Sequence, residues 1–129
     1  MSTIDPAEPG RVDETHSGLQ KLYFICFTEP AGAPADLERH LDEHKAYLVR
    51  LEREGLLFAA GPLLDDNYRF HGPGMIVLNV PSRAEAERIV RADPFHARGV
   101  RRWRIVPWQV NEGSLQLRMT FSDSRFTLK

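Results

Sequence analysis

The chain has 129 residues, 42% of them hydrophobic and 27% charged, with a formal net charge of -1. This composition is typical of one globular domain with a modest core, and the near-neutral charge argues against a nucleic-acid partner. A single cysteine excludes an internal disulfide framework, and the sequence has neither a signal-peptide pattern nor an apolar run of membrane-spanning length. We therefore expect a cytoplasmic protein with a small-molecule ligand and no membrane partner.

The first third of the chain predicts a tail, a strand and a helix. Residues 1–20 are polar and rich in proline, glycine and acids, which predicts a flexible N-terminal tail. The segment KLYFICFTE, 21–29, has the aromatic and β-branched composition of a strand, with Cys26 as a small buried core residue. A loop follows, in which Asp36 is placed to cap a helix over about 34–54.

This helix carries a histidine within its apolar stripe. Leu37, Leu41, Leu48 and Leu51 follow the spacing of a core-facing helix, and His44 falls between Leu41 and Leu48. A buried imidazole is costly unless its nitrogens are paired, and it can titrate near neutral pH. The pattern therefore predicts a pocket with a candidate acid or base, although a hydrogen-bonded core histidine would give the same spacing.

The second half of the chain predicts a strand, a turn region, a strand, a helix and a closing strand. These elements cover residues 56–63, 65–74, 75–81, 82–93 and 100–110. Gly61-Pro62 is predicted to end the second strand. Ser82 and Glu85 have the spacing of a capping box, and Asp93 ends the helix because the residue before a proline disfavours the α region.

The order β-α-β-β-α-β predicts an α+β, ferredoxin-like domain, with both helices on one face of an antiparallel sheet. We divide the chain into the tail 1–20, the domain 21–110 and a C-terminal strand extension 111–129. The extension is predicted from alternating apolar residues, which are Leu115, Leu117, Met119 and Phe121. The uncovered apolar face of such a sheet predicts a homodimer.

The domain resembles the YCII-related domain family in a series of short motifs. They are a helix with a histidine, the tetrapeptide AGPL, a Gly-Met pair, the tripeptide DPF and a closing Pro-Trp pair. The matching residues are His44, Leu48, Leu51, Gly55, Ala60-Gly61-Pro62-Leu63, Gly74-Met75, Asp93-Pro94-Phe95, Gly99-Val100 and Pro107-Trp108. AGPL and DPF in that order are fairly specific, and the resemblance covers about residues 21–110.

The resemblance implies a dimeric α+β barrel and a pocket lined by a His–Asp pair. In this sequence the pair is His44 and Asp93. In the family interpretation the Gly61-Pro62 backbone approaches the pocket, and Phe95 forms one of its walls. His40 lies outside the motif, at the edge of the helix stripe, and we include it among the candidate substrate-binding residues.

A carboxylate beside an imidazole fixes its tautomer and makes a general base that can take a proton and return it elsewhere. We therefore predict a small cofactor-independent enzyme of the lyase or isomerase type, with His44 and Asp93 as catalytic residues. The resemblance implies a small cyclic or aromatic metabolite as substrate, since some relatives act on chlorinated or hydroxylated rings or resemble muconolactone isomerases. The alternative is a non-catalytic ligand-binding or accessory homodimer, in which the pair is structural.

Two further patterns suggest other ligands. The segment from His40 to His44 matches H-x-x-E-H, an inverted zincin motif, but no third ligand is marked, so we predict no metal and no cofactor. A local group of arginines predicts a solvated face paired with Glu85 and Glu87, or else a phosphate or carboxylate site. These arginines are Arg91, Arg98, Arg101, Arg102 and Arg104. His71 and His96 flank loops and are predicted to be exposed.

Overall fold

The computed structural model describes residues 21–128, and the predicted tail 1–20 lies outside this range. Four strands and three helices form the main domain, and two more strands follow. The elements are β1 (Lys21–Pro30), α1 (Pro34–Arg53), β2 (Leu57–Leu64), β3 (Phe70–Leu78), α2 (Arg83–Ala92), α3 (Pro94–Ala97), β4 (Arg101–Val110), β5 (Leu117–Thr120) and β6 (Arg125–Leu128).

The main sheet has the strand order β2-β3-β1-β4, and β3 runs antiparallel to both β1 and β2. The first and last strands of this sheet, β1 and β4, are therefore neighbours, although most of the domain separates them along the chain. This order confirms the predicted ferredoxin-like α+β fold.

The core lies between the helices and one face of the sheet. Alternate residues of β1, such as Phe24 and Cys26, are buried and pack in one cluster with Leu51 of α1 and Ile89 of α2. The Tyr47 hydroxyl donates a 2.7 Å hydrogen bond to the Ile89 carbonyl, which joins the two long helices. Because successive side chains of a strand point to opposite faces, the remaining side chains of β1 lie on the sheet face away from the helices.

The second strand lies close to its predicted range of 56–63, but the Gly61-Pro62 pair does not end it. Gly61 pairs with Met75 and Pro62 with Gly74, so β2 continues through the Gly61-Pro62 pair to Leu64. A proline is tolerated here because β2 is an edge strand and its missing N–H leaves no ladder bond unmade. The predicted turn region shrinks accordingly, because β3 already begins at Phe70.

One of the two predicted helix caps is correct and the other is wrong. The Ser82 side chain accepts a hydrogen bond from the Glu85 N–H, as the capping box predicts. In α1 the N-cap is Ala33, with no side-chain cap, because Pro34 already starts the helix. Asp36 instead lies within the first turn and pairs with Arg39 at 3.1 Å.

The segment after the main sheet is a two-stranded hairpin and is described by itself. The single strand predicted from the alternation of residues 115–121 is shorter, Leu117–Thr120, and pairs antiparallel with β6. Its pairing partners lie in the same segment, at residues 125–128. Over residues 21–128, none of the helices has the length and apolar character needed to cross a membrane.

Candidate active site

A cavity of about 580 Å³ opens between α1 and the adjoining strands. Its wall is mainly apolar, with a few charged side chains. The lining residues are Thr28, Pro34, Leu37, Glu38, Leu41, His44, Lys45, Leu48, Ala60, Gly61, Pro62, Phe70, Gly74, Met75, Ile76, Phe95 and Arg101. We call this space the central cavity.

The apolar stripe of α1 contacts the core at one end and lines the central cavity along the rest of its length. Leu51 is 2% exposed and belongs to the core, whereas Leu37, Leu41 and Leu48 line the central cavity. His44 lies in the cavity-lining part of the stripe. A polar residue at this position therefore faces a pocket rather than the tightly packed core, which explains why the helix tolerates it.

His44 is held by Asp93. Its Nδ1 lies 2.9 Å from both carboxylate oxygens of Asp93, whose side chain is 2% exposed. Because a carboxylate only accepts hydrogen bonds, Nδ1 donates, and in the neutral imidazole the lone pair is on Nε2. Over residues 21–128, no hydrogen bond involves His44 Nε2, so the basic nitrogen is available to a ligand in the central cavity.

The position of Asp93 follows from the local sequence. Pro94 ends α2 at Ala92, and Asp93 takes an extended backbone conformation with ψ of 128° between α2 and α3. Its Oδ1 accepts a 2.9 Å hydrogen bond from the Phe95 N–H, which caps α3. Asp93 therefore lies between the two helices, and its carboxylate both caps α3 and orients His44.

Phe95 and the Gly61-Pro62 pair complete this part of the wall. The Phe95 ring stacks on the His44 imidazole at 4.2 Å between centroids and 18° between planes. Gly61 and Pro62 line the central cavity from the edge strand β2. The structure thus brings four of the sequence-derived site residues to one space, with Asp93 directly behind His44.

His40 is placed differently from the other candidates. It does not line the central cavity, and its Nδ1 lies 3.2 Å from Glu43 Oε1, which Arg98 also contacts at 3.3 Å. The histidines of the H-x-x-E-H segment therefore bind separate carboxylates. Within residues 21–128 there is no cluster of three or more His, Cys, Asp and Glu side chains that could hold a metal ion.

The arginine group is not one solvated face, because Arg101 is buried. Arg101 is 9% exposed, lines the central cavity and bonds to Thr28 rather than to Glu85 or Glu87. Of the other four, only Arg91 has its expected partner, Glu87, at 3.9 Å.

A signal for this burial was present in the sequence. Arg101 has the same strand parity as Trp103 and Ile105, which predicts a side chain on the helix-covered face. Arg102 and Arg104, of opposite parity, are exposed and contact Glu29 and Phe27.

His96 is also more buried than the sequence predicts. Its Nδ1 lies 2.8 Å from the Val90 carbonyl and its Nε2 lies 2.8 Å from Thr28 Oγ1. Burial lowers the pKa of His96 below its ordinary value, so the ring is neutral near pH 7. His71, by contrast, is exposed as predicted and pairs with Asp65.

Cys26 has the properties of a structural thiol. Burial, and secondarily the charge of Asp93, raises its pKa to about 12, so almost no thiolate is present at neutral pH. The interpretation of Cys26 as a buried core residue is confirmed.

Comparisons with known proteins identify a family and include a distant structural likeness. The family model described as "YCII-related domain" matches residues 22–109. No curated protein matches the chain. Among solved structures, the chain is similar to 5-chloro-2-hydroxyhydroquinone dehydrochlorinase from Burkholderia phenoliruptrix AC1100, in complex with 2,5-dihydroxybenzoquinone. The identity is 22%, the match covers 70% of this chain and 95% of that chain, and the TM-score is 0.48.

Proposed function

Since this chain belongs to the YCII-related domain family, we propose that it is a small-molecule enzyme of the lyase or isomerase type. One observation carries the proposal: the Nδ1 of a cavity-lining histidine, His44, lies 2.9 Å from the carboxylate of the buried Asp93. In this arrangement His44 Nε2 can take a proton from a ligand in the central cavity, while the Asp93 carboxylate accepts the hydrogen bond from Nδ1.

The proposed chemistry is proton transfer at carbon. His44 Nε2 takes a proton from a carbon next to a carbonyl group, and the C–H electron pair moves toward the carbonyl oxygen. The imidazolium formed is stabilised by Asp93 and returns its proton to another atom of the substrate, or to a leaving group. No cofactor enters this step, because imidazole and a carbon acid exchange protons directly.

The shape and polarity of the central cavity favour a small cyclic or aromatic substrate. A volume of about 580 Å³ lies within the range usual for small-molecule sites. The Phe95 ring, stacked on His44, offers an apolar surface beside the basic nitrogen. Gly61, Pro62 and Phe95 are proposed to contact the substrate, whereas His40, bound to Glu43, is outside the lining.

The proposal includes a homodimer in the cytoplasm. Aromatic residues that are exposed on the sheet face opposite the helices, such as Phe58 and Trp108, support association through that face. The cytoplasmic location stays a prediction from the sequence.

Hydrogen–deuterium exchange at carbon tests the function across a panel of candidate substrates. The full chain is incubated in D₂O with small cyclic ketones, hydroxylated quinones and unsaturated lactones, and label at carbon is followed by NMR. We expect the wild-type protein to accelerate labelling of at least one compound. His44→Asn should slow that labelling at least about a hundredfold, the lower end of the range for a general base.

Two variants define how the result is interpreted. His71→Asn, at an exposed histidine that does not line the central cavity, should label at the wild-type rate. Asp93→Asn keeps an oxygen for the Phe95 N–H but removes the carboxylate that orients His44, so labelling should also slow. Equal rates for wild type and His44→Asn would contradict the proposal. A protein that binds these compounds and labels none would instead be the non-catalytic ligand-binding homodimer.

A further inference from the structure

Arg101 is a buried cation that the proton-transfer chemistry of His44 does not use. It is 9% exposed at the start of β4 and lines the central cavity. Over residues 21–128, it forms no salt bridge with a carboxylate. The charge of the buried Asp93 acts on Arg101, but the Asp93 carboxylate is hydrogen-bonded to His44 and to the Phe95 N–H. A guanidinium removed from water with no directly bonded anion is costly, so its retention at a cavity wall requires a reason.

The guanidinium is fixed by neutral acceptors on two strands. Arg101 Nε donates to Thr28 Oγ1 at 2.9 Å, and Nη2 donates to the Thr28 carbonyl at 3.0 Å and to the Gly72 carbonyl. These bonds use Nε and Nη2 only. Among residues 21–128, no hydrogen-bond acceptor is provided to Nη1, which leaves donors for a ligand.

A third residue fixes the direction of this network. Because Thr28 Oγ1 accepts from Arg101, its own hydrogen points to His96 Nε2 at 2.8 Å, and His96 Nδ1 donates to the Val90 carbonyl. In each hydrogen bond of this series, only one partner can be the donor, and the guanidinium is held in one orientation. This is the preorganisation expected of a binding group, not of a freely rotating surface arginine.

The surroundings leave Arg101 accessible from the cavity and near His44. Gly74 also lines the cavity next to Arg101, since a Cβ added there would be in ordinary contact with Arg101 Nη2 at 3.8 Å. Arg101 Cζ lies 6.0 Å from the centroid of the Phe95 ring, on which His44 stacks. The general base and the cation therefore share one aromatic neighbour.

We propose that Arg101 is a specificity-determining residue, which binds an anionic oxygen of the ligand and restricts the substrate class to small planar cyclic acids, whether carboxylates or enolates. This inference rests on the proposed function and names its substrate class. During proton transfer, the positive charge on His44 lies beside Asp93 and the negative oxygen lies beside Arg101. Both charges that the reaction creates are then paired inside an apolar cavity.

The test compares two ring compounds of nearly the same shape, benzoate and benzamide. Each is titrated into the full chain, with the methyl resonance of Met75 in the central cavity as reporter and that of Met119 in β5 as the reference. We expect benzoate to bind the wild-type protein at least about tenfold more tightly than benzamide, the ratio expected from one charge-assisted hydrogen bond. Equal binding, or no benzoate binding at all, would overturn the proposal.

Three variants assign the preference to one residue. Arg101→Met should abolish the benzoate preference, and Arg102→Gln, the neighbouring arginine that pairs with Glu29 on the other face, should retain it. Lys45→Gln, which removes the lysine of the cavity lining, should also retain it. A preference that survives in Arg101→Met, or is lost in Lys45→Gln, would overturn the assignment.

Arg101→Met removes donors from two buried carbonyls, so its fold is checked by circular dichroism, and Thr28→Val provides a second variant. Thr28→Val keeps the arginine but removes the hydroxyl that orients Nε, so the benzoate preference should decrease and not vanish. An unchanged preference in Thr28→Val would contradict the positioning network. His44→Asn separates the two proposals: it removes the general base, and the benzoate preference should remain even where labelling at carbon is lost.

Discussion

The roles of two histidines differ because their ring nitrogens have different partners. His96 uses both nitrogens within the protein, toward Val90 and Thr28. His44 uses only Nδ1, toward Asp93, and its Nε2 has no hydrogen bond within residues 21–128. A histidine with both nitrogens bonded is a structural element of the network, whereas one with a free nitrogen at a cavity can exchange protons with a ligand.

The neutral state of His96 predicts a pH-dependent stability. Burial lowers the pKa of His96 in the folded protein from the ordinary value of 6.5, which the unfolded chain keeps. As the pH falls below 6.5, the unfolded chain binds a proton that the folded protein does not bind. The contribution of His96 to the free energy of unfolding is therefore complete above this pH and is lost as the pH falls through the folded pKa.

Urea unfolding at about pH 7.5 and about pH 5.5 measures this effect. His96→Gln remains neutral at both values, so its free energy of unfolding should fall less with acidification than that of the wild type. His71→Gln is the matched control, because His71 is an exposed histidine. A pH dependence that is identical in wild type and His96→Gln would contradict the assignment.

At the scale of helices and strands, the ends of elements depend on local hydrogen bonds. Ser82 at the start of α2 was predictable because a capping box needs only residues three positions apart. Asp36 has the same residue preference, yet Pro34 starts α1 earlier and places Asp36 inside the first turn. Ser82 and Asp36 are both favoured at helix N-caps, but only Ser82 acts as a cap, because Pro34 fixes the start of α1.

This contrast gives a direct comparison of two substitutions. Ser82→Ala removes the acceptor of the Glu85 N–H and should lower the free energy of unfolding by about 1 kcal/mol. Asp36→Ala removes only an exposed pair with Arg39, for which a loss of about 0.5 kcal/mol or less is expected. Urea denaturation of both variants with the wild type measures the difference. Equal losses would show that the α2 cap is not made in solution.

The parts of the site that could be predicted from sequence are those whose contacts are local or repeat along an element. The stripe of α1 indicated His44, and the Asp93-Pro94 pair indicated a helix end with a carboxylate. Arg101 was predicted only as one member of an arginine group, with a phosphate or carboxylate site as the alternative to a solvated face. Its individual role could not be predicted because its partners, Thr28 and Gly72, come from distant parts of the chain. Strand parity alone could have assigned Arg101 to the buried face, but not its orientation.

At the scale of the whole domain, the fold class and the family were both predictable. The alternation of strands and helices predicted the ferredoxin-like fold, and the AGPL and DPF motifs predicted the family that the match over residues 22–109 confirms. Only the end of β2 at the Gly61-Pro62 pair was mispredicted, because the tolerance of Pro62 depends on its position at the sheet edge. Edge positions follow from the complete topology and not from any local segment.

The face of the sheet opposite the helices carries an aromatic cluster of Tyr23, Phe58 and Trp108. Tyr23 lies 4.9 Å from Phe58 and 5.9 Å from Trp108 between ring centroids. Phe58 is 58% exposed and Trp108 is 39% exposed, so large apolar surfaces face outward on one side. Aromatic groups concentrated on one sheet face are typical of a protein interface.

We therefore expect a homodimer that associates through this aromatic face. Light scattering of the wild-type chain at micromolar concentration should give twice the mass of one chain. Phe58→Glu should shift the population to monomers, because dimerisation would bury an unpaired carboxylate in the apolar interface. Tyr68→Glu is the matched control, since Tyr68 is an exposed aromatic residue in the β2–β3 turn and should leave the dimer intact. A monomeric wild type would contradict the proposed assembly, and a Phe58→Glu dimer would assign the interface to another surface.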